Sequence, residues 1–284
     1  MPYLQLSDQA TERVDLYYED HGAGPPVVLV HGWPMGSMCW EKQVPALLKA
    51  GYRVVYYDRR GFGRSSQPAE GYDYDTLAAD LDALVKRLDL HGVALIGFSM
   101  GTGECARYLR RYGSTRVCAV AFIASILPFL IKTADNPTGF EPMLLDDVTE
   151  SIARDRYAFV SCFLRDYYNV ARIGVDRVSN DVVVASGNAA ARASATALEQ
   201  CVRASMIDFR NDLVAIDVPA LVLHGDDDWI LPIVSTGLQL HRDLPGSRFV
   251  AIEGGAHGLL WTHHDEVNRE LLAFLRSHMR NAVK

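Results

Sequence analysis

The chain has 284 residues, 49% of them apolar and 22% charged, the proportions of an ordinary globular protein and not of a disordered or collagen-like one. A formal charge of −7 argues against nucleic acid or an anionic membrane as partner, because a net negative surface repels both. The amino-terminal stretch MPYLQLSDQATERVDLYYED has neither a basic start nor an apolar centre. The most apolar run, Val117 to Ile131, contains Ser125 and Pro128 and is too short to span a bilayer, so a cytoplasmic location is expected.

The first two apolar runs, Tyr3 to Leu6 and Val14 to Tyr18, flank a polar turn and read as an antiparallel hairpin. Val27 to Val30 is a strand and Trp40 to Ala50 an amphipathic stretch. Tyr52 to Tyr57 is the next strand, followed by a Gly/Arg/Ser loop and a helix over about 75–88. Val93 to Phe98 runs into a helix over 102–112, and Val117 to Ala124 follows. After a long interval come Ala220 to Leu223 and Arg248 to Ile252, each followed by a helical pattern. Their continuous Val/Ile/Leu character predicts strands buried on both faces. The strand–helix alternation predicts an α/β fold with a mostly parallel central sheet flanked by helices. Residues 128–208 break the rhythm and read as a helical lid inserted after the sixth strand, with 1–127 and 209–284 forming the core. Cys39, Cys105, Cys118, Cys162 and Cys201 are odd in number and widely spaced, which predicts free thiols and no metal cage.

Gly97-Phe98-Ser99-Met100-Gly101 matches G-x-S-x-G at a strand-to-helix junction. A nucleophile elbow requires that context, since a sharp turn there lifts the Ser99 hydroxyl clear of the backbone and the helix start offers the Met100 N–H to a developing oxyanion. The competing reading is a Gly-rich turn with an inert serine. A serine needs a base, and the chain order Ser…Asp…His selects His257, in the loop Gly254-Gly255-Ala256-His257-Gly258 after the last strand. His31 and His224 stand at strand ends beside glycine, and His31 reads as structural. The acid lies within Asp226-Asp227-Asp228, after a buried strand. Asp228 is selected, with Asp226 as competitor in a turn or capping role and Asp227 pointing away. A second oxyanion donor is expected at the Trp33 N–H, in the loop His31-Gly32-Trp33-Pro34, which Pro34 stiffens. Asp58-Arg59-Arg60 reads as a brace behind the site and not a phosphate cradle. No nucleotide, flavin or metal motif is present, so no cofactor is expected.

These segments resemble the α/β-hydrolase fold and, within it, the bacterial cofactor-free haloperoxidase, perhydrolase and arylesterase group. The matching stretches are HGWP at His31 to Pro34, YDRRGFGRSSQP at Tyr57 to Pro68, GYDYDTLAADL at Gly71 to Leu81, GFSMGTGECARY at Gly97 to Tyr108, LHGDDDWILP at Leu223 to Pro232 and GGAHGLLWTH at Gly254 to His263. Ala256 departs from the proline common in that group. The resemblance implies a triad of Ser99, Asp228 and His257, and Trp33 and Met100 amides as oxyanion hole. It also implies a small ester substrate, hydrogen peroxide as alternative nucleophile, and a homo-oligomer. Pro34, Phe129, Phe159, Phe163, Tyr167, Ile230 and Leu259 are candidates for an apolar substrate pocket. A lactonase or γ-lactamase on the same serine, and a non-catalytic ligand-binding relative, are the alternative readings.

Overall fold

Successive side chains of a strand leave opposite faces of its sheet. In β3 (Pro26–Val30) this sends Val27 and Leu29 into one apolar cluster and Val28 and Val30 into another. The computed structural model describes residues 3–6, 13–174 and 176–279; the polar turn expected between the first two strands lies outside them. The remaining strands are β1 (Tyr3–Leu6), β2 (Val14–His21), β4 (Arg53–Tyr57), β5 (Val93–Phe98), β6 (Val117–Ile123), β7 (Ala220–Gly225) and β8 (Arg248–Ile252). They form one sheet in the order β1-β2-β4-β3-β5-β6-β7-β8. β2 pairs antiparallel with β1 and β4, and every pairing from β4 to β8 is parallel. β8 departs from the expected burial on both faces: it is an edge strand, with Arg248 and Ala251 exposed and Ile252 its one buried residue.

Helices α1 (Gln43–Lys49) and α11 (His264–His278) cover one face through Leu47, Val267, Leu271 and Phe274. Helices α2 (Tyr74–Arg87) and α3 (Met100–Tyr112) cover the other. In α2, Leu77, Leu81, Leu84 and Val85 recur at helical spacing and are all buried, while the Asp73 carboxylate caps its start by accepting the Thr76 N–H at 3.0 Å. Each such aliphatic side chain contributes about 1.5–3 kcal/mol by burial. α9 (Gly237–Asp243) follows β7, and α10 (Leu259–Thr262) precedes α11.

Between β6 and β7 lie α4 (Met143–Tyr167), α5 (Val170–Ile173), α6 (Asn180–Ala190), α7 (Ala195–Ala204) and α8 (Arg210–Leu213). The segment is less helical than its composition predicts. Residues 128–142 form no helix and carry two isolated bridges, Ile131 with Phe140 and Thr133 with Asn136. Pro128, Pro137 and Pro142 interrupt helical hydrogen bonding there, and Asn136 Nδ2 instead donates to the Phe129 and Ile131 carbonyls at 2.9 and 2.8 Å. α4 kinks at Asp155 (φ −159°, ψ 90°), whose carboxylate accepts the Tyr157 and Ala158 N–H groups and so caps the second half. The Phe209 N–H donates to the Pro128 carbonyl at 3.0 Å and joins the two ends of the insertion.

The chain passes from β3 outward to β4 and returns to β5 on β3's other side. Loops leaving the carboxyl ends of β3 and β5 therefore diverge and open a crevice, the usual ligand position in a sheet of this kind.

Candidate active site

Ser99 stands where β5 hands over to α3, at φ 52° and ψ −120°, backbone angles that few residues with a side chain adopt. The turn is held from both sides. The Ser99 N–H donates to the Ile123 carbonyl at 2.9 Å, and the Ser99 carbonyl accepts from the Thr102 N–H and hydroxyl at 2.9 and 2.6 Å. Gly101 is required by contact: a Cβ there would lie 2.2 Å from the Val30 carbonyl oxygen. As first residue of α3, Met100 has no intrahelical acceptor for its N–H.

The structure brings Ser99, His257 and Asp228 together from distant parts of the chain. His257 Nε2 lies 3.0 Å from Ser99 Oγ, and His257 Nδ1 lies 2.7 Å from Asp228 Oδ2. The carboxylate accepts from Nδ1–H, which leaves the Nε2 lone pair facing the serine hydroxyl. Asp228 Oδ1 accepts the Ile230 and Leu231 N–H groups at 2.9 and 2.7 Å. Burial pushes the Asp228 pKa up, but the His257 charge and hydrogen bonds from His224 and His257 outweigh it and hold the group below the usual carboxylate range. Ser99 retains 6% exposure against 1% for His257 and 4% for Asp228, so the serine is the most open of the three.

The other carboxylates of the run go elsewhere. Asp226 is exposed and accepts the Gly254 N–H at 2.7 Å. Asp227 meets Asn169, Arg172 and the Trp229 indole. His224 is fully buried, 3.3 Å from Asp228 Oδ2. The sequence places His224 at a strand end; a histidine at the close of a buried strand, four residues before the acid, is the signal that points to it.

Gly32 allows the β3 loop to close on the serine, since a Cβ at Gly32 would fall 3.0 Å from Ser99 Cβ. His31 beneath it is structural. Its Nε2 accepts the Arg59 N–H at 2.9 Å, so Nδ1–H donates to the Gly32 carbonyl at 2.6 Å. Burial and the Arg59 charge hold its pKa well below the ordinary value and keep it neutral. Arg59 donates to the His31 carbonyl at 2.8 Å and pairs at 2.8 Å with Glu104 of α3, which also meets the Tyr57 hydroxyl. Arg60 pairs with Asp80 at 2.7 Å, and Asp58 accepts from Ser37 and Arg64. Arg59 and Arg60 are thus each paired with a buried carboxylate from a helix, and the Asp-Arg-Arg segment braces the loop.

Trp33 joins the brace to the inserted helices, its indole donating to the Leu198 carbonyl at 3.2 Å. Phe163 and Phe159 stand edge-on to it, with ring centres 5.0 and 6.2 Å away. Tyr167 extends this aromatic wall to the His257 ring at 5.2 Å. Pro34 is buried beside Trp33, Ile230 packs against both cores, and Leu259 is fully buried within one of them. Phe129 makes no ring contact with this wall among the described residues, and its ring lies 5.4 Å from the Arg210 guanidinium. Among the described residues no cluster of His, Cys, Asp or Glu is arranged to hold a metal, and no helix is long and apolar enough to cross a membrane.

Sheet order, crevice and elbow together define the α/β-hydrolase class, and residues 25–264 match the family model described as the alpha/beta hydrolase fold. A Synechocystis sp. protein provisionally named a non-heme chloroperoxidase is 50% identical over 276 residues, covering 97% of this chain and 100% of its own. The Acinetobacter calcoaceticus bifunctional esterase/perhydrolase DCH is 35% identical, covering 93% of this chain and 97% of its own. The crystal structure of bromoperoxidase from Bacillus anthracis superposes with a TM-score of 0.92 at 43% identity, over 97% of this chain and 100% of that one. This chain belongs to the α/β-hydrolase family and, within it, to the non-haem haloperoxidase group of enzymes.

Proposed function

We propose that the protein is a serine hydrolase of small carboxylic esters that also performs perhydrolysis, with Ser99 as nucleophile, His257 as general base and acid, and Asp228 as the orienting carboxylate. The observation that carries the reading is the continuous Ser99–His257–Asp228 hydrogen-bond line, at 3.0 and 2.7 Å. His257 Nε2 takes the Ser99 proton as Oγ bonds to the ester carbonyl carbon. The oxyanion is held by the Trp33 and Met100 N–H groups, each worth about 3 kcal/mol to the transition state. His257 then protonates the departing alcohol, leaving a Ser99 acyl ester. Water attacking that ester, deprotonated by the same nitrogen, releases the acid and restores the hydroxyl. Hydrogen peroxide in place of water releases a peracid, which oxidises halide in solution. One intermediate with two nucleophiles accounts for the paired names borne by the Acinetobacter relative and for the haloperoxidase names of others. The inserted helices act as a lid, and the wall of Trp33, Phe159 and Phe163 favours small uncharged acyl or aryl groups.

The test is p-nitrophenyl acetate hydrolysis and bromination of monochlorodimedone with peroxide, bromide and acetate, in wild type and Ser99→Ala. Both activities are expected to vanish in the variant, and bromination in wild type to require the carboxylic acid. Bromination that persists without acetate, or survives Ser99→Ala, overturns the peracid route. Failure of a fluorophosphonate to label Ser99 would leave a ligand-binding relative in place of an enzyme using this serine, and preferential opening of a γ-lactam or lactone would reassign the substrate class.

A further inference from the structure

The Asp228 carboxylate has two histidine neighbours. His224, the penultimate residue of β7, is fully buried, with Nε2 3.3 Å from Asp228 Oδ2 and 2.8 Å from the Leu231 carbonyl. A carbonyl oxygen only accepts, so Nε2 carries a proton. The opposite edge of the ring is arranged for a bare nitrogen. Nδ1 is buried with no hydrogen-bond partner among the described residues, and it faces Gly237, where a Cβ would come within 2.8 Å of it. The Thr236 hydroxyl, 3.5 Å from Nε2, lies closer to the Pro232 carbonyl, at 3.0 Å. These surroundings place a proton on Nε2, which has two acceptor oxygens within reach, Asp228 Oδ2 at 3.3 Å and the Leu231 carbonyl at 2.8 Å. The second acceptor belongs to the turn that grips the other carboxylate oxygen: Leu231 gives its N–H to Asp228 Oδ1 and its carbonyl to His224.

We propose that His224 is a positioning residue: its Nε2–H, shared between Asp228 Oδ2 and the Leu231 carbonyl, fixes the plane of the carboxylate so that Oδ2 meets His257 Nδ1. The inference rests on the Ser99–His257–Asp228 reading above. A carboxylate rotates easily about its last torsion. Two backbone donors secure Oδ1, and without His224 the Oδ2 side is secured by His257 alone, the group it must orient. Loss of the imidazole's orientation lowers the rate without removing any group that touches substrate.

His224→Phe retains a ring and removes the N–H, whereas His224→Gln returns an N–H close to the Nε2 position. Expected for His224→Phe is a roughly ten- to hundredfold fall in kcat on p-nitrophenyl acetate, the range for a hydrogen bond to a charged group. KM should stay within about twofold of wild type, because substrate binding is not involved. His224→Gln should recover most of the rate. In an Asp228→Asn background His224→Phe should cost nothing further, because the carboxylate through which it acts is gone; a residue that merely supports the fold costs the same in both backgrounds. Nitrogen NMR of the wild-type imidazoles gives a reading independent of how the variants fold, and His224 must show a protonated Nε2 and a bare Nδ1. A folded His224→Phe with unchanged kcat, an equal loss in the Asp228→Asn background, or a protonated Nδ1 overturns the proposal. Wild-type activity in Asp228→Asn alone would instead sink the triad reading, and this inference with it.

Discussion

Gly101→Ala places one methyl group where the two halves of the proposed oxyanion hole meet. The added Cβ would stand 2.2 Å from the Val30 carbonyl oxygen and 2.8 Å from that of His31. Carbon and carbonyl oxygen approach no closer than about 3.3 Å in ordinary contact, so α3 and the end of β3 must separate by roughly 1 Å. Nothing listens to that separation more directly than Met100, the preceding residue, and Trp33, two residues beyond His31, whose N–H groups would hold the oxyanion from the two sides of the gap. A misplacement of about 1 Å costs on the order of a hundredfold in rate, and overpacking of this kind costs about 1–3 kcal/mol of stability. The loss should fall on kcat more than on KM, since the amides in the proposed role would bind the transition state and not the ground-state ester. Steady-state kinetics on p-nitrophenyl acetate, with urea unfolding of the same sample, measures both. Gly187→Ala is the control: among the described residues its Cβ would meet only Leu164 Cδ1, at 3.8 Å, inside α6, so activity is retained and stability rises by about 0.5–1 kcal/mol. A folded Gly101→Ala enzyme within about threefold of the wild-type kcat would refute the claim that this contact sets the oxyanion geometry.

Glu104→Gln removes the carboxylate from a pair whose members are 1% and 0% exposed, leaving the Arg59 charge uncompensated. The expected destabilisation is about 3–5 kcal/mol in urea unfolding, and a change below about 1 kcal/mol would show that the pair is not what holds the brace together. Acid should also weaken the fold. Burial, with the charges of Arg59 and Arg177 respectively, lowers the pKa of His31 and His263, so between their folded values and the unfolded value near 6.5 the unfolded chain binds more protons. Their contribution is complete above about pH 6.5 and is lost as pH falls through the folded values, at up to about 1.4 kcal/mol per pH unit for each proton taken up. Urea midpoints at pH 7.5, 6.5 and 5.5 should therefore decline in that order, and a flat or rising series would contradict the assignment of His31 as a buried neutral ring.

The chain's own order of residues was enough to locate the strands, though not their exact ends, together with the elbow and the loop that carries His257. Each of these is a local property: β-branched runs are buried by the sheet they enter, and a Gly-Phe-Ser-Met-Gly junction has few conformations open to it. Burial on both faces of β8 was not a local property, because it depends on a neighbouring strand that an edge position lacks. The course of residues 128–142 was also hidden, since Asn136 supplies hydrogen bonds that helical composition does not forecast. Among Asp226, Asp227 and Asp228, alternation left two candidates pointing one way. Only the turn that brings the Ile230 and Leu231 N–H groups over one carboxylate, and Gly254 over another, separates them. His224 and the link from Trp33 to Leu198 join residues by contacts across the folded molecule, and sequence spacing carries no information about which side chains meet once strands are ordered in a sheet. Periodicity reports what each element buries, whereas the angle at which one loop faces another is set by packing of the whole.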